Sequence, residues 1–179
     1  MSSIPKVILD WKELSNFRQL DLVKNSGRGV YIWGFRFESE FVPYYVGIAE
    51  NIYLRLCEHM AALISGKYTI YHRDYLKVFA EHKKNGEGQL FAPSWPENFT
   101  EFISNHEELL PHIKNMINRF EYSYSQVDQG NTLNVTLKDI EKYCISKIGK
   151  DNLANTRGGK FKSLNVTHFG CSEITRLFS

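Results

Sequence analysis

Long apolar runs are missing from this sequence. No stretch of about 18 apolar residues occurs in the 179-residue chain, which argues against a membrane-spanning helix. Met1 to Lys6 lead into Val7-Ile8-Leu9-Asp10, too short an apolar run for a signal peptide. The triplets beginning at Asn98, Asn134 and Asn165 are therefore read as chance matches to the glycosylation pattern. Cysteine is scarce: Cys57, Cys144 and Cys171 are odd in number and widely spaced, with no CxxC pair. A disulfide framework or cysteine zinc site is not expected, and a reducing, cytoplasmic setting fits best. A dominant charge is lacking too, since 22 Lys and Arg against 20 Asp and Glu leave a net charge of +2. That balance neither announces nor excludes a polyanionic partner. No repeat or low-complexity segment is visible.

What remains is an ordinary globular composition, 42% hydrophobic and 23% charged, sufficient for one substantial core. Asp10 to Phe17 reads as a short helix with Asp10 as its cap, and Asn25-Ser26-Gly27-Arg28-Gly29 as a turn. Val30 to Phe35 and Val42 to Ile48 are rich in β-branched and aromatic residues and predict an antiparallel hairpin. Ile52 to about Ile64 predicts an apolar helix. Residues 66–118 differ: Asp74 to His82 looks helical, Gly86-Glu87-Gly88 with Pro93 and Pro96 looks like a loop, and 99–118 looks helical with an interruption at Pro111. Phe120, Tyr122 and Tyr124 alternate with Glu121, Ser123 and Ser125, the period of a half-buried strand. Asp128 to Asn131 reads as a turn, and Thr136 caps a helix that runs to Ile148 and ends at Gly149. The expected architecture is a single α/β domain over 1–179: a small sandwich built on a three-stranded antiparallel sheet flanked by helices. Residues 66–118 form a helical insertion within it.

Chemistry shows where this pattern is broken. On the helix over 51–64, Asn51, Arg55, Glu58 and His59 share one polar stripe on an otherwise apolar surface. Such a stripe faces either solvent, with Arg55 paired to Glu58 at i, i+3, or a site. On the helix after Thr136, Glu141 projects from a face formed by Leu137, Ile140, Cys144, Ile145 and Ile148. An ionised carboxylate there is costly unless a cation or strong donors meet it. It is either a core ion-pair partner or a metal ligand or acid–base group at the core's edge. Tyr31 and Tyr45 lie within the hairpin strands, where aromatics usually pack. Each is followed closely by glycine, Gly34 and Gly47, which would admit another backbone or a phosphate.

Together these residues resemble the GIY-YIG endonuclease superfamily. Its first signature triplet is matched by Gly29-Val30-Tyr31 and its second by Tyr45-Val46-Gly47. The run from Ile48 to Leu56 follows the family's path from glycine through a polar turn to the helical Arg55. His59, four residues on, is similar to the histidine of the restriction-enzyme branch. Glu141 corresponds to the single metal-binding glutamate, and Asn155 to the closing asparagine, with Asn152 competing for that place. The match is dense over residues 29–64 and sparser over 119–159. Both triplets have valine at the centre, the 66–118 insertion exceeds a minimal domain, and the chain's beginning and its tail after Gly159 lie outside the resemblance.

The resemblance implies hydrolysis of DNA phosphodiester bonds by a single-metal mechanism. Glu141 would hold one divalent cation, Mg²⁺ or Mn²⁺, with several retained waters. Arg55 would clamp the phosphate through permanently charged donors. Tyr31 would be the general base, its phenol acidified by the cation and by His59. Tyr45 would orient phosphate or water, and Asn155 would brace the site. From 142 to 162, Lys142, Lys147, Lys150, Arg157, Lys160 and Lys162 face only Asp151. This segment could track a nucleic-acid backbone or form an ordinary solvated surface. Glu97, Glu101, Glu107 and Glu108 make the insertion a poor phosphate-binding surface. One site cuts one strand, so a homodimer is the expectation for a double-strand cutter. The competing reading is a catalytically silent module that grips nucleic acid or protein on the same fold.

Overall fold

Seven consecutive residues, Gly29 to Phe35, are all buried, so this strand must be covered on both faces. The computed structural model describes residues 4–72, 74, 88–94, 96–128, 135–154 and 163–179. In it Gly29–Phe37 forms β3, pairing antiparallel with β4 (Glu40–Ala49) and with β7 (Phe120–Gln126). The expected hairpin and third strand are thus present. A two-residue strand, β2 (Ser15–Asn16), adds a fourth on the outer edge of β7, giving the order β2-β7-β3-β4. The chain is a mixed α/β fold around this antiparallel sheet.

Alternation of side chains gives the sheet two apolar faces. Tyr31, Trp33, Phe35, Phe120 and Tyr122 point to one face and pack with Ile52, Leu56 and Leu63 of α1 (Ile52–Ile64). Val30, Ile32 and Val46 point to the other and pack with Ile140, Cys144 and Ile145 of α4 (Leu137–Ile148). Both helices begin where the sequence places them. Asn51 accepts from the Leu54 N–H to cap α1, and Thr136 with Asp139 forms a reciprocal capping box on α4.

Several expectations are corrected. Residues 10–17 do not form a helix. Lys6–Trp11 is β1, with Val7, Leu9 and Trp11 buried and the intervening residues exposed, a period of two rather than 3.6. It pairs in parallel with β8 (Asn165–Gly170), so the tail after Gly159 returns to complete the second core through Cys171 and Ile174. Pro111 does not interrupt its helix. The break comes earlier, at Asn105, between α2 (Phe99–Ser104) and α3 (His106–Arg119). Pro111 then sits inside α3, which continues past the missing N–H. Nor do the described residues of 66–118 pack as an appendage. Short strands β5 (Ile70–Tyr71) and β6 (Gln89–Phe91) pair there, and Ile70, Phe91, Phe102, Leu109, Ile113 and Met116 join the same core as Leu56 and Phe35. The helix expected over 74–82, the Gly86 loop and the turn after Asp128 lie largely outside the described residues. Among the described residues, no helix is long and apolar enough to cross a membrane.

Candidate active site

Strict alternation along β4 would send Tyr44 and Tyr45 to opposite faces. A bulge prevents this: Trp33 pairs with Tyr45 while Gly34 pairs with Pro43, leaving Tyr44 as the extra residue. Because β4 is the sheet edge, Pro43 and the bulge are tolerated there. Tyr44 and Tyr45 consequently line the same cleft, together with Trp33, His59, Tyr68 and Glu141. The cleft holds about 600 Å³.

Directly across from Tyr31 in the ladder is Gly47. A Cβ on residue 47 would lie 2.3 Å from both Cζ and Oη of Tyr31 and 2.8 Å from Cε1 of Tyr45. Only glycine leaves room for the two phenols of the two triplets to approach, and their ring centroids are 6.3 Å apart. Tyr31 itself is 1% exposed and lies behind the cleft wall, whereas Tyr45 is half-buried on it.

From the α1 side, His59 enters this aromatic group. It is buried, with Nε2 2.6 Å from the Tyr31 hydroxyl and Nδ1 2.5 Å from the Tyr68 hydroxyl. Burial, assisted by the Arg55 charge, lowers its pKa to about 4, so the ring is neutral near pH 7. A neutral imidazole has one donor and one acceptor nitrogen, and the two phenols use both. Arg55, one turn earlier, pairs with Glu58 at 2.6 Å, as the solvent-face reading expects. Its guanidinium also lies close enough to Tyr31 and Tyr45 to favour their ionised forms. Burial outweighs this influence, and both phenols stay above the ordinary tyrosine range.

Glu141 reaches the cleft from the other layer. Helix α4 packs its apolar face beneath the sheet, but the helix passes the β4 edge and Glu141 lines the cleft beside Tyr45 and His59. Its charge is felt by Tyr45. Among the described residues Glu141 forms no hydrogen bond or ion pair. Burial raises its carboxyl above the usual range, opposed by Lys138 and Lys142. The described residues therefore supply no ion-pair partner for it. A half-buried carboxylate that no described residue pairs, opening on a cleft of mixed polar and aromatic lining, suits a hard divalent cation that keeps most of its waters. No group of three or more His, Cys, Asp or Glu side chains is gathered among the described residues, and among those that line the cleft Glu141 is the one carboxylate.

The remaining candidates divide. Asn155, Arg157, Lys160 and Lys162 lie outside the described residues. The competitor Asn152 is already used, donating to the Ile148 carbonyl at 2.7 Å to close the end of α4. Ala154 lines the cleft and donates to the Tyr44 carbonyl at 2.7 Å. Lys142 stands beside Glu141, whereas Lys147 sits 6.0 Å over the Tyr143 ring and next to His168, among residues that do not line the cleft. Lys150 is exposed in the turn after α4. Sequence reasoning missed Tyr68, Tyr44 and Trp33. Tyr68 had a signal in Ser65-Gly66: Gly66 has φ of +70°, Lys67 N–H bonds to the Ala62 carbonyl, and Gly66 N–H bonds to the Leu63 carbonyl. This glycine-ended stop turns the chain back along α1 and brings Tyr68 to His59.

The chain matches no protein-family model, no curated protein and no solved structure.

Proposed function

We propose that this chain is a metal-dependent endonuclease of GIY-YIG type that hydrolyses DNA phosphodiester bonds. The observation carrying this reading is the position of Glu141, which no described residue pairs, in one cleft with Tyr45 and His59. Three separate elements, β4, α1 and α4, deliver these side chains. A purely structural or binding fold has no use for a desolvated carboxylate there.

In this reading Glu141 holds a Mg²⁺ or Mn²⁺ ion, which when bound supplies Lewis acidity toward the phosphate and the departing 3′ oxygen. Arg55, partly exposed beside Tyr31 and Tyr45, binds a non-bridging phosphate oxygen through planar donors. Tyr45 orients phosphate or water from the cleft wall. Tyr31 accepts the proton of the attacking water in its phenolate form, and Asn155 braces the site. Lys142 adds positive charge beside the carboxylate, and the basic residues Lys147, Lys150, Arg157, Lys160 and Lys162 are assigned to the DNA backbone. The test is nicking of supercoiled plasmid in Mg²⁺ or Mn²⁺ against EDTA. The alternative, a silent module on the same fold, would bind DNA in both conditions and cut in neither.

A further inference from the structure

The enclosure of Tyr31 poses a problem of proton traffic. A phenol that is 1% exposed presents little surface to solvent, so the proton it sheds on becoming a phenolate needs a route out through its hydrogen-bond partners. Its hydroxyl lies against the space that a Cβ of residue 47 would fill, and its hydrogen-bond partner is His59 Nε2 at 2.6 Å. The second nitrogen of His59 meets Tyr68 Oη at 2.5 Å. Tyr68, unlike Tyr31, is half-buried and lines the cleft. The three groups form a chain that begins inside the protein and ends where solvent can enter.

From this geometry we infer that Tyr68 is a positioning residue and the outer end of a proton relay, Tyr31–His59–Tyr68, that empties into the cleft. The inference rests on the nuclease reading for its purpose but not for its geometry. In the resting relay the Tyr31 hydroxyl donates to Nε2, and the Nδ1–H donates to Tyr68 Oη. On transfer, the Tyr31 O–H bond breaks as a Nε2–H bond forms. The Nδ1–H bond breaks as a proton reaches Tyr68 Oη, and the original Tyr68 proton passes to water in the cleft. One proton leaves, Tyr31 is left as phenolate beside Arg55, His59 has exchanged tautomers, and Tyr68 is again a neutral phenol. Without its Tyr68 partner, His59 would be free to present either nitrogen to Tyr31. The charged and titratable groups around the relay are Arg55 and Glu58 on α1, Lys67 beside Tyr68 on the cleft wall, Tyr44 and Tyr45 on β4 and, across the cleft, Glu141 on α4.

Substitution Tyr68→Phe keeps the ring and removes only the relay's last oxygen. Two readouts on the full chain test it. In ¹⁵N-resolved NMR of the metal-free protein, wild-type His59 should be the Nδ1–H tautomer, with a strongly downfield proton on that nitrogen. Tyr68→Phe should lose that proton and shift toward the commoner Nε2–H form. A wild-type Nε2–H tautomer would overturn the assigned direction, whether or not the protein cuts DNA. In nicking assays with Mg²⁺, Tyr68→Phe should lower kcat about 100-fold with KM little changed. Added small buffer bases should restore part of the loss, which lost packing would not allow. A variant with wild-type kcat and pH profile would overturn the relay and leave the nuclease reading intact. Failure of the wild type to cut would remove that reading while the NMR result still decides the hydrogen-bond chain.

Discussion

A single methyl group at position 47 would collide with both phenols of the cleft. Gly47→Ala should therefore cost about 1–3 kcal/mol, the range for overpacking, because Tyr31 and Tyr45 cannot both keep their places. Urea melts measure the loss, and an unchanged midpoint would show that the rings can yield. His59 makes a second residue-scale prediction. Its folded pKa of about 4 lies below the ordinary 6.5, so between these values the unfolded chain binds a proton that the folded one refuses. The stabilisation is complete above pH 6.5 and declines as pH falls toward 4, by up to about 3 kcal/mol. His168, half-buried and stacked against Trp11 and Phe178, is also lowered to about 4 and contributes with the same sign. Melts between pH 7 and 4.5 should show this decline, and His59→Gln should remove part of the slope.

At the scale of elements, the described residues of 66–118 belong to the main core rather than to a satellite. Ile113 of α3 is 1% exposed and shares that core with Leu56 and Phe120. Ile113→Ala should destabilise the whole fold by about 2–5 kcal/mol in one cooperative transition; a separate early transition would mark an independent unit. The elements legible in the sequence were those with local signatures: the Thr136 cap, the period-two run over 120–125 and the two triplets. Missed elements depended on distant partners. β1 becomes a strand only because β8 arrives beside it from the far end of the chain. Lys12 and Glu13, helix formers in isolation, follow it as exposed irregular chain, with the Lys12 N–H held by the Tyr124 carbonyl of β7. The site was legible to the same degree. Arg55, His59 and Glu141 stood out as polar groups on apolar helices. Tyr44 depends on a bulge, and Tyr68 on a glycine turn that reverses the chain toward α1.

For the molecule as a whole, the two layers meet at the edge of β4, where α1 brings Arg55 and His59, and α4 brings Glu141, to the phenols of the sheet. The sheet keeps α1 and α4 on opposite faces, and the cleft forms where Glu141 clears that edge. Replacing the glutamate by its amide retains volume and hydrogen-bonding capacity and removes the charge. Because burial already penalises that charge, Glu141→Gln should melt no earlier than wild type without metal, and it should lose any Mg²⁺-induced stabilisation. Plasmid nicking by the two proteins, side by side in Mg²⁺ and in EDTA, then separates catalysis from architecture. Wild type should nick in Mg²⁺ and not in EDTA, and Glu141→Gln should nick slower by orders of magnitude while binding DNA in EDTA as wild type does. Equal nicking by the two proteins, or nicking by wild type in EDTA, would contradict a metal-dependent role for Glu141.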